Sequence, residues 1–292
     1  MANLRAIRKR IGSVKSTQQI TKAMKMVSAA KLKRAQDAIV AARPYARKMR
    51  EVVQALAARV GEDAHPLLAA RETKKLALLV VTTDRGLCGG FNSNLLRATY
   101  RFLVANREKY EEISVFVVGR KAREFLRRRG VSPCKEYLGV LGSLSYAHAG
   151  TLAKDLVGGF LDGEFDEVQV AFNEFRSAIS QVIRFERLFP ISVERGGTEK
   201  QAAGSDIDFL YEPSQKEILA ALLPKYVETQ LFRVLLESVA GEHGARMSAM
   251  DSATNNAVDM IARLTLQMNR ARQATITKEL MEIIGGAEAL KG

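Results

Sequence analysis

The sequence predicts an α/β domain with a mostly parallel sheet, flanked by N- and C-terminal helices that pair as a long antiparallel coiled coil. Three observations predict it. Residues 3–58 and 214–289 are rich in helix formers and carry narrow apolar stripes at three- and four-residue spacing. Between them, short apolar runs alternate with helical stretches, as in strands joined by crossover helices. Neither terminal stripe can bury itself alone, so each needs a partner helix. The segments expected are 1–60, 73–208 and 209–292.

The first helix has apolar residues at Leu4, Ile7, Ile11 and Val14. The stripe then meets Thr17 and Gln18, and apolar residues return in a shifted phase at Ile20, Met24 and Val27. That shift predicts a stutter in the supercoil. Pro44 predicts a kink or a loosened turn. Gly61 and His65-Pro66 mark the end. Fifty helical residues would span roughly 75 Å.

In the middle segment, Leu76–Thr82, Ile113–Val118, Val168–Phe172 and Gln181–Phe185 read as strands by length and content. Helices are expected at about 92–109, 121–129 and 150–161. Residues 194–208 are polar and contain glycine, which predicts a loop. In the last segment the seam Met247, Met250, Thr254, Ala257, Ile261, Leu264, Met268, Ala271, Thr275 alternates steps of three and four without interruption. Its residues are small or flexible, so a partner helix could approach closely. The simplest partner is the N-terminal helix, although the seam alone serves an intermolecular dimer equally well.

Charge is distributed unevenly along the 292 residues. Residues 1–50 hold fourteen basic residues and a single acid, Asp37, and therefore the whole net charge of +13. Such an arm faces water or something acidic: a protein surface, nucleic acid or anionic lipid. It has no aromatic residue before Tyr45, hence no platform for stacking bases. Its Arg-rich, acid-poor character also fits a transit peptide, but the pattern runs on for some fifty residues. Apolar runs such as Leu76–Val81 reach only six residues, whereas a membrane-spanning helix needs about 20. Cys88 and Cys134 form no disulfide framework.

Signals for chemistry are sparse. Gly86-Leu-Cys-Gly-Gly90 lies between a strand and a helix, where α/β folds bind phosphate, yet it matches neither the dinucleotide fingerprint nor the P-loop. A ligand loop and a plain tight turn both remain open. His65, His148 and His243 have no metal-ligand spacing, and Gly-Glu-His-Gly at 241–244 is not a zinc motif. No nucleophile elbow or acid pair is signalled. No catalytic residue, cofactor or metal is therefore expected.

Four blocks carry a resemblance. They are Ile7–Val27 (IRKRIGSVKSTQQITKAMKMV), Thr83–Asn92 (TDRGLCGGFN), Glu242–Asp251 (EHGARMSAMD) and Asn269–Ala287 (NRARQATITKELMEIIGGA). In this order and over essentially the whole length, the chain resembles the gamma subunits of F-type ATP synthase. The resemblance implies a central rotor shaft, one copy per complex, inside a ring of α and β subunits. Its α/β domain would sit on the membrane c ring beside the epsilon subunit. Rotation of the ring would couple to ATP synthesis or hydrolysis at the β sites, and gamma would supply no catalytic residue. It also implies that Met24, Arg246, Arg272, Gln273, Thr277 and Glu279 contact the α/β ring. Tyr211 and Glu212 would face the c ring and epsilon. The cysteine-bearing insert of chloroplast-type relatives is absent, so thiol regulation of that kind is not expected. A bacterial-type protein, peripheral on the cytoplasmic face of the membrane, is implied. The competing readings are a basic coiled-coil protein that binds nucleic acid and a small-molecule-binding α/β domain using the 86–90 turn.

Overall fold

The computed structural model describes residues 4–61, 65–69, 71–191 and 214–289. Its order is α1 (Leu4–Val60), β1 (Lys75–Val81), α2 (Phe91–Ala105), β2 (Glu112–Val118), α3 (Arg120–Arg127), β3 (Lys135–Tyr137), α4 (Tyr146–Leu161), β4 (Glu167–Phe175), β5 (Gln181–Phe189) and α5 (Gln215–Ala289). Two compact units form. One joins residues 1–29 with 246–292, and the other comprises residues 30–245.

In the first unit the ends of α1 and α5 run antiparallel. Thr21 lies opposite Thr254, with hydroxyls 2.8 Å apart, and Lys25 Nζ donates to Asp251 Oδ1 at 2.6 Å. The partner number falls as the first rises, which fixes the direction. Ile7 on α1 and Met250, Ala257 and Leu264 on α5 are buried between them. The α5 seam is therefore the one read from sequence. The α1 seam is not. The heptad phase of Leu4, Ile7, Ile11 and Val14 continues unbroken through Gln18, Thr21, Lys25 and Ser28, all of them buried or half-buried. Ile20 and Val27 are instead 57% and 56% exposed. The expected stutter is absent because polar side chains occupy the inward positions, and two of them, Thr21 and Lys25, bond across to α5.

The second unit contains a five-stranded sheet in the order β3-β2-β1-β4-β5. β1 pairs in parallel with β2 and β4, and β2 with β3. Only β5 is antiparallel, against β4. Six of the seven β1 residues are fully buried, as expected for a central strand covered on both faces. On one face α4 packs with Met49–Ala57 of α1 and Leu219–Leu235 of α5. On the other, α2 and α3 cover Leu78, Val80, Val115 and Val117. Burying a leucine of this kind contributes about 1.5–3 kcal/mol, so these two clusters dominate the stability of the unit.

Strand β3 and the 3₁₀ turn Val140–Ser143 were not legible in the sequence. α1 passes through Pro44 without a break. Pro44 and Val40 are both exposed, so the Val40 carbonyl that loses its donor has water available. α1 ends where Gly61 adopts φ +91° and its N–H bonds the Ala57 carbonyl at 3.0 Å. The expected loop at 194–208 lies outside the described residues.

Candidate functional site

The first place to look in such a sheet is the crevice at the C-terminal ends of the strands, where the order reverses. Here the reversal falls at β1: the chain leaves it for β2 on one side and, after β3, returns through α4 to β4 on its other side. The crevice is filled by the chain itself. The Thr83 N–H donates to Asn92 Oδ1 at 3.1 Å, and Asn92 Nδ2 donates back to Thr83 Oγ1 at 2.8 Å. Thr82 Oγ1 bonds the Val118 carbonyl and accepts the Ala122 N–H. Asn173 Nδ2 reaches the Phe91 carbonyl. Asp84 accepts the N–H groups of Arg120 and Gly139, tying three connections together. A Cβ on Gly119 would lie 2.2 Å from the Thr82 oxygen, so only glycine fits. These contacts favour the tight-turn reading of residues 86–90, with Leu87 at φ +62° on the exposed tip.

The Gly-Glu-His-Gly motif also has a packing explanation. A Cβ on Gly241 would meet the Phe91 ring at 2.9 Å, and one on Gly244 the Ala178 carbonyl oxygen at 2.9 Å. Gly241 lets α5 lie against the start of α2, and Gly244 lets it lie against the β4–β5 turn. His148 caps α4, where its Nδ1 accepts the Ser145 N–H at 3.2 Å. Among the described residues no group of three or more His, Cys, Asp or Glu could hold a metal ion, and no helix is long and apolar enough to cross a membrane.

The remaining candidate surface is the outside of the helix pair. Arg8, Lys9, Arg10, Lys15 and Lys22 are exposed along α1. Ile20, Met24 and Val27, at i, i+4, i+7, form an apolar strip directed away from the α5 seam, with Met24 half-buried at its edge. Sequence reading found this strip but assigned it to the seam. Arg246 is buried and engaged, at 9% exposure, so it flanks the packing rather than lying on the outer face. Arg272, Gln273, Thr277 and Glu279 are exposed on α5. Arg272 and Glu279, seven apart, share one face, and Gln273 and Thr277, four apart, the next. Beyond Thr275 every residue through Ala287 is exposed, including Ile276, Leu280, Met281, Ile283 and Ile284 at 50–70%. Sequence reading missed this bare apolar end. The signal was available, because the seam stops at Thr275 while large apolar residues continue. Tyr211 and Glu212 lie outside the described residues.

A helix pair with charged and apolar side chains on its outer face has the chemistry of an interaction surface, and the strand-end crevice of the second unit is filled by the chain's own groups. Comparison with known proteins agrees. The profile of the ATP synthase family matches residues 3–290. The ATP synthase gamma chain of Trichlorobacter lovleyi is 55% identical over 293 residues, and that of Geobacter metallireducens 55% over 292, with both chains covered completely. Among solved structures, the rotor of the Euglena gracilis mitochondrial ATP synthase matches with a TM-score of 0.65 at 19% identity, covering 94% of this chain and 98% of that one. The central stalk and c ring assembly of Tetrahymena thermophila gives 0.62 at 22%, covering 80% and 99%. The structural likenesses establish the fold. The family profile and the full-length relatives establish that this chain belongs to the ATP synthase gamma chain family.

Proposed function

We propose that this chain is the central rotor shaft of an F-type ATP synthase, coupling rotation of a membrane c ring to ATP synthesis or hydrolysis at the β subunits. The observation that carries the reading is the full-length 55% identity to curated gamma chains. The outer face of the helix pair supports it. A shaft must engage its surroundings without binding one orientation tightly. Exposed ion pairs contribute only about 0–1 kcal/mol each, which suits successive weak contacts. In this reading the α1 cations face acidic segments of β, and Met24, Arg272, Gln273, Thr277 and Glu279 touch the α/β ring, with Arg246 bracing the helix beneath. Tyr211 and Glu212 meet the c ring and epsilon. The nucleotide chemistry belongs to β, so gamma itself is not catalytic and holds no cofactor. The chain acts peripherally at the cytoplasmic face of a bacterial membrane.

Reconstitution tests the proposal. Mixed with α and β subunits from the same source, the chain should form a complex with one copy per three αβ pairs and clearly raise ATP turnover. Elution apart from α and β, with turnover unchanged, refutes it. Salt-sensitive binding to nucleic acid would then be the reading to pursue.

A further inference from the structure

A cleft of about 1110 Å³ opens in the second unit between residues 39–51 of α1, the start of α4, the β4–β5 turn and residues 229–237 of α5. Ligand cavities typically occupy roughly 300–1,000 Å³, so there is room for a sizeable molecule. It lies on the opposite side of the sheet's core from α2 and α3, and none of the filled crevice residues lines it.

Three features of its lining point to one chemistry. The first is aromatic. Tyr45 and Tyr146 are 55% and 38% exposed, in a chain without tryptophan and with only 7% aromatic residues. Tyr146 is held edge-on to Phe232, with centroids 5.4 Å apart, and its hydroxyl lies 3.4 Å from Thr229 Oγ1. A planar ring stacks on such surfaces. The second is charge. Six basic side chains line the cleft against three acidic ones. Arg43 has no acidic partner among the described residues, and Arg47 has only the exposed Glu51, at 3.0 Å. Guanidinium groups such as these grip phosphate oxygens bidentately. The third is an orphaned acceptor. Glu237 takes a hydrogen bond from Arg233 Nη1 through Oε1 at 3.1 Å, while its Oε2 is buried with no partner among the described residues. The terminal carboxylate torsion is soft, so a small rotation offers this oxygen to a donor in the cleft.

We propose that this cleft binds a purine nucleoside di- or triphosphate. The ring stacks on Tyr45 and Tyr146, the exocyclic amine donates to Glu237, and the phosphates lie along Arg43 and Arg47. The site shares no residue with the outer face of the helix pair and does not depend on the rotor reading.

Calorimetry on the purified full-length chain provides the test, with ATP, adenosine and tripolyphosphate as probes. ATP should bind saturably at one site. Adenosine and tripolyphosphate should each bind at least tenfold more weakly. Tyr45→Ala and Arg43→Gln, both at exposed positions, should each weaken ATP at least fivefold without changing the circular dichroism. No saturation up to millimolar ATP, tripolyphosphate binding as tightly as ATP, or variants binding like the parent would each overturn the proposal. Photolabelling with 8-azido-ATP gives a second readout in the assembled complex. Label on a peptide containing Tyr45 or Tyr146 supports the site, and label confined to other subunits overturns it.

Discussion

Replacing Gly244 with alanine should destabilise the second unit, although the same change at Gly158 should stabilise it. Both glycines lie in helices of that unit, α5 and α4, so both substitutions gain the same intrinsic helix propensity, about 1 kcal/mol. They differ in what the new methyl group meets. At Gly158 nothing lies within 4 Å. At Gly244 the methyl would lie 2.9 Å from the Ala178 carbonyl oxygen and 3.1 Å from its Cα. Those are backbone atoms and cannot swing aside, so the β4–β5 turn must move. Overpacking of this kind costs about 1–3 kcal/mol. Gly244→Ala is therefore expected to lose up to about 2 kcal/mol net, and Gly158→Ala to gain up to about 1 kcal/mol. For a chain of this size that corresponds to roughly 2–4 °C per kcal/mol. Thermal and urea unfolding of the full-length chain, followed by far-UV circular dichroism, would measure both. Equal shifts in the same direction would show that the turn does not rest on Gly244, and the packing account of this motif would fail.

Further outcomes follow from the same geometry. Ile20→Ser with Val27→Ser should change stability by less than about 0.5 kcal/mol, since both are exposed, yet weaken assembly with α and β in a pull-down. A stability loss of several kcal/mol would place them in the seam after all. Arg272→Ala with Gln273→Ala should lower ATP turnover in the reconstituted complex, and normal turnover with normal assembly would remove them from the contact surface. Asp155 should make folding sensitive to acid. Burial acts to raise its pKa, but hydrogen bonds from Lys135 and Tyr137, the latter at 2.6 Å, hold it below the ordinary value. Its contribution is present above the unfolded value near 3.8 and is lost as pH falls through the depressed one. Urea titrations between pH 5 and 3 should therefore show a steeper loss in the parent than in Asp155→Asn, and identical slopes would discount the cluster.

The helix-and-strand order, β3 apart, was legible because those elements are long or strongly patterned. β1 is a continuous apolar run, and the α5 seam keeps one phase from Met250 to Thr275. β3 was missed because three residues, Lys-Glu-Tyr, carry no periodicity, and the strand exists only because β2 offers it an edge. The α1 seam was misread for a different reason. Apolarity was taken as a proxy for burial, while Thr21 and Ser28 are inside and Ile20 and Val27 outside. A sequence shows that a face is apolar but not which surface covers it. The same limit applies to Gly241 and Gly244, whose need for a missing Cβ arises from the Phe91 ring of α2 and from the β4–β5 turn, both far away in sequence. The cleft beneath Tyr45 draws its walls from four separate stretches of chain and left no local trace.

The polar stretch of the α1 seam has a consequence for alignment. A groove lined by alanine, methionine and threonine offers similar contacts at several offsets, so apolar packing alone would let one helix creep along the other. Sliding by one turn, about 5.4 Å, would part the Thr21 and Thr254 hydroxyls and leave Lys25 and Asp251 without each other. Such polar inward positions give up some adhesion and in return set a single register. Two strands of a twisted rope held by a pin cannot shear when the rope is turned from one end. Thr21 and Lys25 serve as that pin, at the level where an applied twist would otherwise become slip.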